Sequence, residues 1–368
     1  MAELSVYIHI PFCEKKCPYC AFASYAQDNA AKEVYLGRLE RELAFWRSRL
    51  GEISARTLYV GGGTPSCLSL RQWEKLAGIF EKNFDTSVCA EFTVEANPNS
   101  LTNELLAFWK RIGVTRVSIG VQSLVDDELK FLGRLHNAKQ AFDAVKNAVD
   151  AGFAVNADFM FGLPRQSVER WQKTLETAVQ LGLSHISLYQ LTIEEGTPFA
   201  KTALDLPDGY EQYLFAQEYL PANGYKQYEI ANFALCGNES RHNMNYWRGG
   251  DYLGIGVSAS GYLDGERYTN ESGLERYCEM IEKNGKAAVF SEKLDNAAAA
   301  REASVLQLRM TEGIDRVKYR AKYGDAAEKY VLAALKDFPQ ELYAVTDKNI
   351  AFTQAGMRVA NRIWEALV

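Results

Sequence analysis

Three cysteines, Cys13, Cys17 and Cys20, are spaced Cys-x3-Cys-x2-Cys directly after the apolar run 6–10. Three thiolates on one short loop suit three irons of a cubane cluster, which leaves the fourth iron to a ligand that is not protein. An electron-transfer ferredoxin closes all four corners with cysteine, so this spacing points to chemistry on a molecule bound at the open corner. Zinc wants four closed ligands, and no matching second pair follows. Of the 7 cysteines, the other members Cys67, Cys89, Cys236 and Cys278 are expected to pack as small apolar side chains.

The elements that would carry this loop read as a repeated βα pattern. Short β-rich apolar segments fall at 6–10, 57–60, 91–95, 116–120, 154–159 and 185–191, and segments of helical spacing at 34–50, 70–84, 101–112, 138–151 and 168–181. Such units place their strands parallel with right-handed crossovers, in an open doubly wound sheet or in a barrel. In either, the loops after the strands gather at one edge, so the cysteine loop, the glycines at 61–63 and Glu95-Ala96-Asn97-Pro98 would face one site.

The triple glycine serves either close approach of backbone to a ligand or a tight strand-to-helix turn. Glu95, Gln122 and Asp158 stand at or in strands where apolar neighbours dominate. Each is either a ligand-binding group, Glu95 toward an ammonium or ribose hydroxyls, or a satisfied polar core residue. His9 and Tyr7 share a strand face by the period of two, as a packed pair or as groups near the cluster. His136 and His185 are read as structural.

Beyond residue 206 the texture changes. A helix is expected over 207–224 and a strand over 227–231, followed by the polar and aromatic stretch 241–248 and the glycine-rich 249–261, read together as a functional loop. Helical segments from 295 to 310, a hairpin over 343–353 and a last helix resemble a winged-helix module, whose mixed charges suit packing or protein contact. The expected organisation is a barrel over 1–230, a connecting region over 231–290 and a helical, winged-helix-like domain over 291–368.

With 47% apolar and 24% charged residues the composition is that of a globular α/β protein with a sizeable core. A net charge of -6 argues against a general nucleic-acid surface. No apolar run approaches a membrane span of about 18 residues, and Glu3 stands where a secretory signal needs basic groups, so a cytoplasmic protein is expected.

The segment Tyr7-Ile8-His9-Ile10-Pro11-Phe12-Cys13 with Cys17 and Cys20, the stretch Gly61-Gly62-Gly63-Thr64-Pro65, Gly120-Val121-Gln122-Ser123 and Asp158-Phe159-Met160-Phe161-Gly162-Leu163-Pro164 together resemble the radical S-adenosylmethionine (SAM) superfamily. The branch they resemble is that of oxygen-independent coproporphyrinogen III oxidase. The resemblance implies a partial (β/α)6 barrel and a [4Fe-4S] cluster whose open iron chelates the amino and carboxyl groups of SAM, with reductive cleavage to a 5'-deoxyadenosyl radical. The residues matching the branch's SAM contacts are Tyr7, Tyr19, Gly62, Gly63, Thr64, Glu95, Gln122, Arg134 and Asp158. Tyr19 stands where the oxidases usually carry phenylalanine.

Two departures matter. The oxidases continue Cys-x-Cys after the third ligand, whereas Cys20 is followed by Ala21 and Phe22, and only twelve residues precede Cys13 where the oxidases have a long extension. Both features resemble the haem-chaperone subfamily of this branch, as does His242-Asn243-Met244-Asn245-Tyr246-Trp247, which matches its HNxxYW motif. That implies a protein that binds haem and hands it to acceptor proteins such as membrane respiratory enzymes, with His242 as haem ligand and Tyr246 and Trp247 as flat walls. Coproporphyrinogen dehydrogenase activity is then not expected. The alternatives are the oxidase reaction itself, or a haem-storage module in which cluster and SAM control dimerisation or docking.

Overall fold

The structure, a computed structural model, describes residues 2–26 and 28–368. Six parallel strands form its centre: β1 (Ala2–Ile10), β2 (Ile53–Gly62, with the two-residue β3, Phe84–Asp85, alongside), β4 (Glu91–Ala96), β5 (Arg116–Gln122), β6 (Ala154–Phe161) and β7 (His185–Gln190). They lie side by side in the order β1-β2-β4-β5-β6-β7. The crossovers run through α1 (Asn29–Leu50), α2 (Leu70–Asn83), α3 (Asn103–Arg111), α4 (Asp126–Phe131), α5 (Ala138–Asp150) and α6 (Val168–Gln180). This is the partial barrel of parallel strands that the motifs imply.

Alternation along the strands builds two environments. Val6, Ile8 and Ile10, Leu58 and Val60, Val117 and Ile119, and Val155 and Ala157 are fully buried in the apolar layer with α1 side chains Tyr35, Leu36 and Leu39. The opposite face of the same strands carries polar groups: Tyr7 pairs with Tyr59 and Tyr59 with Thr93, Thr93 pairs with Arg116, and Glu95, Ser118, Asn156 and His185 follow one another across four strands. A period of two therefore separates a helix-facing core from a polar barrel interior.

The helices start where local chemistry tells them to. At α2 the Ser69 hydroxyl accepts from the Gln72 amide while the Gln72 side chain accepts from the Ser69 amide, a reciprocal cap. Trp73, Leu76, Ala77, Ile79 and Phe80 then recur at helical spacing on the buried face, and each large side chain contributes about 2 kcal/mol by leaving water.

After β7 come α7 (Tyr210–Ala222), the short strands β8 (Lys226–Gln227) and β9 (Asn232–Ala234), and α8 (Arg241–Trp247). β9 runs antiparallel to β7 and pairs with β8, so the strand expected over 227–231 is instead a hairpin centred on those residues. The glycine-rich stretch also departs from expectation. It forms β10 (Tyr252–Ile255), which pairs parallel with β1, and β11 (Ser260–Leu263), extended by β12 (Glu266–Asn270) and, after α9 (Leu274–Asn284), by β13 (Ala288–Lys293). The glycine at 254 is required by close approach, since a Cβ there would lie 1.8 Å from the Ser260 carbonyl oxygen. Among the other cysteines, Cys236 is exposed rather than packed, while Cys67, Cys89 and Cys278 are half-buried.

The C-terminal part has its own apolar cluster. It comprises α10 (Asn296–Leu308), β14 (Ile314–Asp315), α11 (Arg316–Tyr323), α12 (Asp325–Leu335), β15 (Tyr343–Val345), β16 (Asn349–Phe352), α13 (Gln354–Arg358) and α14 (Ala360–Glu365), with strands ordered β14-β16-β15. Leu308, Ile314, Val331, Leu335, Ile350 and Ile363 fill its centre. It is tied to the barrel by Arg309, which ion-pairs with the fully buried Glu229 carboxylate at 2.6 Å and lies 4.5 Å over the Trp247 ring, and by Ile230, which packs against this cluster.

Candidate functional site

The loops that follow the strands enclose one cavity of about 640 Å³. Cys13, Cys17 and Cys20 line it together with Tyr19, Gly62, Gly63, Thr64, Glu95, Gln122, Arg134 and Asp158. Of the residues matched to cluster and SAM contacts only Tyr7 does not line this cavity, and His242, Tyr246 and Trp247 of the HNxxYW motif do not line it either.

A chain of hydrogen bonds fixes the loops against one another. Cys13 Sγ lies 3.3 Å from Thr64 Oγ1, which accepts from Asn97 Nδ2 at 2.9 Å. Arg134 donates through Nη2 to Asn97 Oδ1 at 2.5 Å and to the Gly120 carbonyl at 2.8 Å, while its Nη1 reaches Cys17 Sγ at 3.6 Å. Asn97, placed at the site by the sequence only as part of the segment that ends β4, is the residue that joins Arg134 to Thr64.

Glu95 is held from two sides. Tyr59 donates its hydroxyl to Oε1 at 2.8 Å, and the Gly62 amide donates to Oε2 at 2.9 Å. Glycine is required at 62 by packing within the chain, since Gly62 has φ 111° and a Cβ there would lie 2.4 Å from the His9 ring, and Gly62 and Gly63 also line the cavity. Gln122 also takes a left-handed backbone, with φ 65°, beside an irregularity in the β5–β6 register.

Tyr7 acts from behind this layer. Its hydroxyl lies 3.0 Å from His9 Nδ1, and His9 Nε2 lies 2.9 Å from the Ala23 carbonyl. A carbonyl only accepts, so Nε2 carries the proton and Nδ1 accepts from Tyr7. His9 thereby ties the chain just after the cysteine loop to the barrel.

Burial dominates the electrostatics. It raises the Glu95 carboxyl to about 7 and the Asp158 carboxyl to about 6, against opposing hydrogen bonds from Tyr59 and Gly62 in the first case and from Asn156 and Ser187 in the second. Burial likewise raises the Cys13 and Cys20 thiols. Among the described residues no three His, Cys, Asp or Glu side chains converge on a single-ion site. The three cysteines are unpaired as disulfides, share one loop, and line a cavity into which a larger inorganic core fits. Buried Arg134, with Nε unpartnered, places a positive charge beside the cysteine loop, its Nη1 3.6 Å from Cys17 Sγ.

The barrel floor is closed by α8. Glu91 accepts from the backbone amides of Arg241 and His242, each at 3.0 Å, and pairs with Arg116 Nε at 3.2 Å, both side chains 6% exposed. His242 lies inside this plug, 1% exposed. Thr57 donates its hydroxyl proton to Ser5, so it accepts from His242 Nδ1 at 2.7 Å, and His242 Nε2 accepts from Tyr246 at 2.6 Å. Both ring nitrogens are committed. The haem-ligand role expected for His242 therefore requires α8 to leave its seat. Of the two histidines read as structural, His136 bonds the Val121 carbonyl, and His185 bonds Asn156 and Tyr228 while also lining the cavity.

Residues 7–178 match the Radical SAM superfamily. The haem chaperone HemW of Bacillus subtilis is 34% identical over 99% of this chain and 99% of its own length. The chain belongs to the HemW family. The HemW of Escherichia coli is 40% identical over 71% of this chain and 70% of its own. The fold extends to the coproporphyrinogen III oxidase HemN of Escherichia coli, a structure matched with a TM-score of 0.87 over 100% of this chain and 90% of that one at 24% identity. The sequence likeness to the Bacillus subtilis HemW runs end to end.

Proposed function

We propose that the chain is a haem chaperone: it binds haem and delivers it to acceptor proteins, carrying a [4Fe-4S] cluster and SAM in the barrel cavity. The full-length likeness to HemW proteins carries this reading. The cluster and SAM come with the radical SAM superfamily, and when bound they supply one-electron reductive chemistry.

Each part of the cavity has a fitting task. Cys13, Cys17 and Cys20 hold the cluster, and Arg134 stands beside them with its Nη1 3.6 Å from Cys17 Sγ. Glu95, oriented by Tyr59 and the Gly62 amide, accepts from the amine of SAM, and Asp158 and Gln122 address its other polar groups. Tyr19, Gly63 and Thr64 complete the wall, and Tyr7 orients His9 behind it. The barrel over 1–230 then serves as the cofactor domain, with the region 231–290 closing its floor and edge and the domain 291–368 docked on Trp247 through Arg309. Membrane respiratory enzymes as acceptors, a cytoplasmic location and a homodimeric state belong to the same proposal. No helix among the described residues is long and apolar enough to cross a membrane.

The second reading is oxidative decarboxylation of coproporphyrinogen III, favoured by the fold alone. Phe22, standing where the oxidases carry a cysteine, weighs against it. The deciding experiment reconstitutes the cluster anaerobically and offers haem and coproporphyrinogen III separately. Stoichiometric haem uptake without protoporphyrinogen is expected; formation of protoporphyrinogen overturns the chaperone reading.

A further inference from the structure

The mouth of the cavity carries aromatic surface that is exposed among the described residues. Phe22 is 70% exposed and Tyr189 is 44% exposed, and both line the cavity that the three cysteines line. Neither ring is there by slack in the chain. The Phe22 carbonyl accepts from Lys16 Nζ at 3.0 Å, and the next carbonyl, that of Ala23, accepts from His9 at 2.9 Å. Two consecutive peptide units are thus pinned, and the Phe22 side chain is held outward. Tyr189 projects from the end of β7 on the face of Ser187, toward the interior. A large aromatic side chain kept in water forgoes the free energy that burial would return, and when it borders a cavity it marks a surface meant to be covered.

The exposed cations of this cavity lining come from the cysteine loop, which contributes Lys15 and Lys16. The segment after β7 contributes Leu191, Thr192 and Glu194, and Glu194 Oε1 is engaged by the Thr192 hydroxyl at 3.1 Å. A complementary ligand has a flat apolar face, anionic groups on one edge and none on the other. Haem has that shape, with both propionates on one side of the macrocycle.

We propose that haem seats across the cavity mouth, its ring over Phe22 and against Tyr189, its propionates toward Lys15 and Lys16, closing the cavity above the cofactors. The proposal rests on the haem-chaperone reading and gives that reading its binding site. Ring-on-ring contact and charge-assisted hydrogen bonds supply the affinity. The seat asks nothing of His242, whose nitrogens stay with Thr57 and Tyr246.

The test uses the full chain with its cluster reconstituted anaerobically, titrated with haem and with haem dimethyl ester, in which both carboxylates are masked. Phe22→Ser is expected to weaken haem binding about tenfold. Esterification is expected to weaken binding to the unsubstituted chain about fivefold, and the Lys15→Gln/Lys16→Gln double variant is expected to bind haem and ester alike. These side chains are exposed, so circular dichroism verifies that the variants are folded. Haem bound equally well by the unsubstituted chain and all variants overturns the seat and leaves the chaperone reading standing. Equal affinity of the unsubstituted chain for haem and ester overturns the propionate contacts. No haem bound by the unsubstituted chain overturns the chaperone reading and the seat with it.

Discussion

His242 Nδ1 donates to the Thr57 hydroxyl at 2.7 Å, joining α8 to the wall of the barrel across 185 residues of chain. With Nε2 accepting from Tyr246, the ring is a buried spacer between two hydroxyls, and burial lowers its pKa to about 3. His242→Ala leaves both hydroxyls without that partner, and a loss of about 3 kcal/mol is expected in denaturant unfolding. The folded fraction should retain its haem stoichiometry; a folded variant that binds no haem would restore His242 as the ligand. The linkage has a definite sign. The unfolded chain binds a proton at this ring below its ordinary value of 6.5 while the folded chain does not, so the stability His242 contributes is lost as pH falls from there toward 3.

Glu95 has the opposite sign. Its folded pKa of about 7 lies above the ordinary 4.5, so the folded chain holds a proton that the unfolded chain has released, and stability falls as pH rises through that window. A ligand amine donating to Glu95 favours the carboxylate, so binding expels the proton. SAM affinity is therefore expected to be about tenfold weaker one pH unit below the Glu95 pKa than well above it. Calorimetry in buffers of different ionisation enthalpy reads the released proton, and Glu95→Gln should abolish both effects.

Arg116 and Glu91 are a buried pair on which the α8 backbone also depends. Arg116→Leu strands the Glu91 carboxylate, and a destabilisation of about 4 kcal/mol is expected. Combining it with Glu91→Gln should recover part of that loss, because the stranded charge is gone. Additive losses in the double variant would show that the two side chains act independently.

Gly62→Ala combines a positive φ with a clash against His9. A cost of about 2 kcal/mol is expected from the backbone alone. Since His9 holds the Ala23 carbonyl, displacing it loosens the cysteine loop, and the variant should also reconstitute with less iron per chain. Full iron content with unchanged SAM binding would separate Gly62 from the loop.

How much of this could be read beforehand varies from residue to residue. The strands of the barrel were visible as apolar alternation, although β2 starts at Ile53 rather than 57, because 53–56 are ordered by pairing with β1 rather than by a pattern of their own. β10 was not visible, since its neighbour β1 lies far earlier in the chain and its glycine, Gly254, answers to close packing against Ser260 of β11. Tyr59 and Arg116 looked like strand residues, and only the register of their neighbours turns them into cavity wall.

Cysteine spacing, the glycines at 61–63 and the lone carboxylates Glu95 and Asp158 are local features, and local features suffice to specify a three-thiolate loop over a polar barrel end. Partners are another matter. Thr57 and His242, Glu91 and α8, or Arg134 and Asn97 meet through chain folding over long separations, and no periodicity records which donor finds which acceptor. A histidine beside aromatics is chemically fit for iron in any sequence. Whether its nitrogens remain free is set by the groups packed around it, because buried polar atoms are costly to leave unpaired and take the first partner that the fold brings within reach.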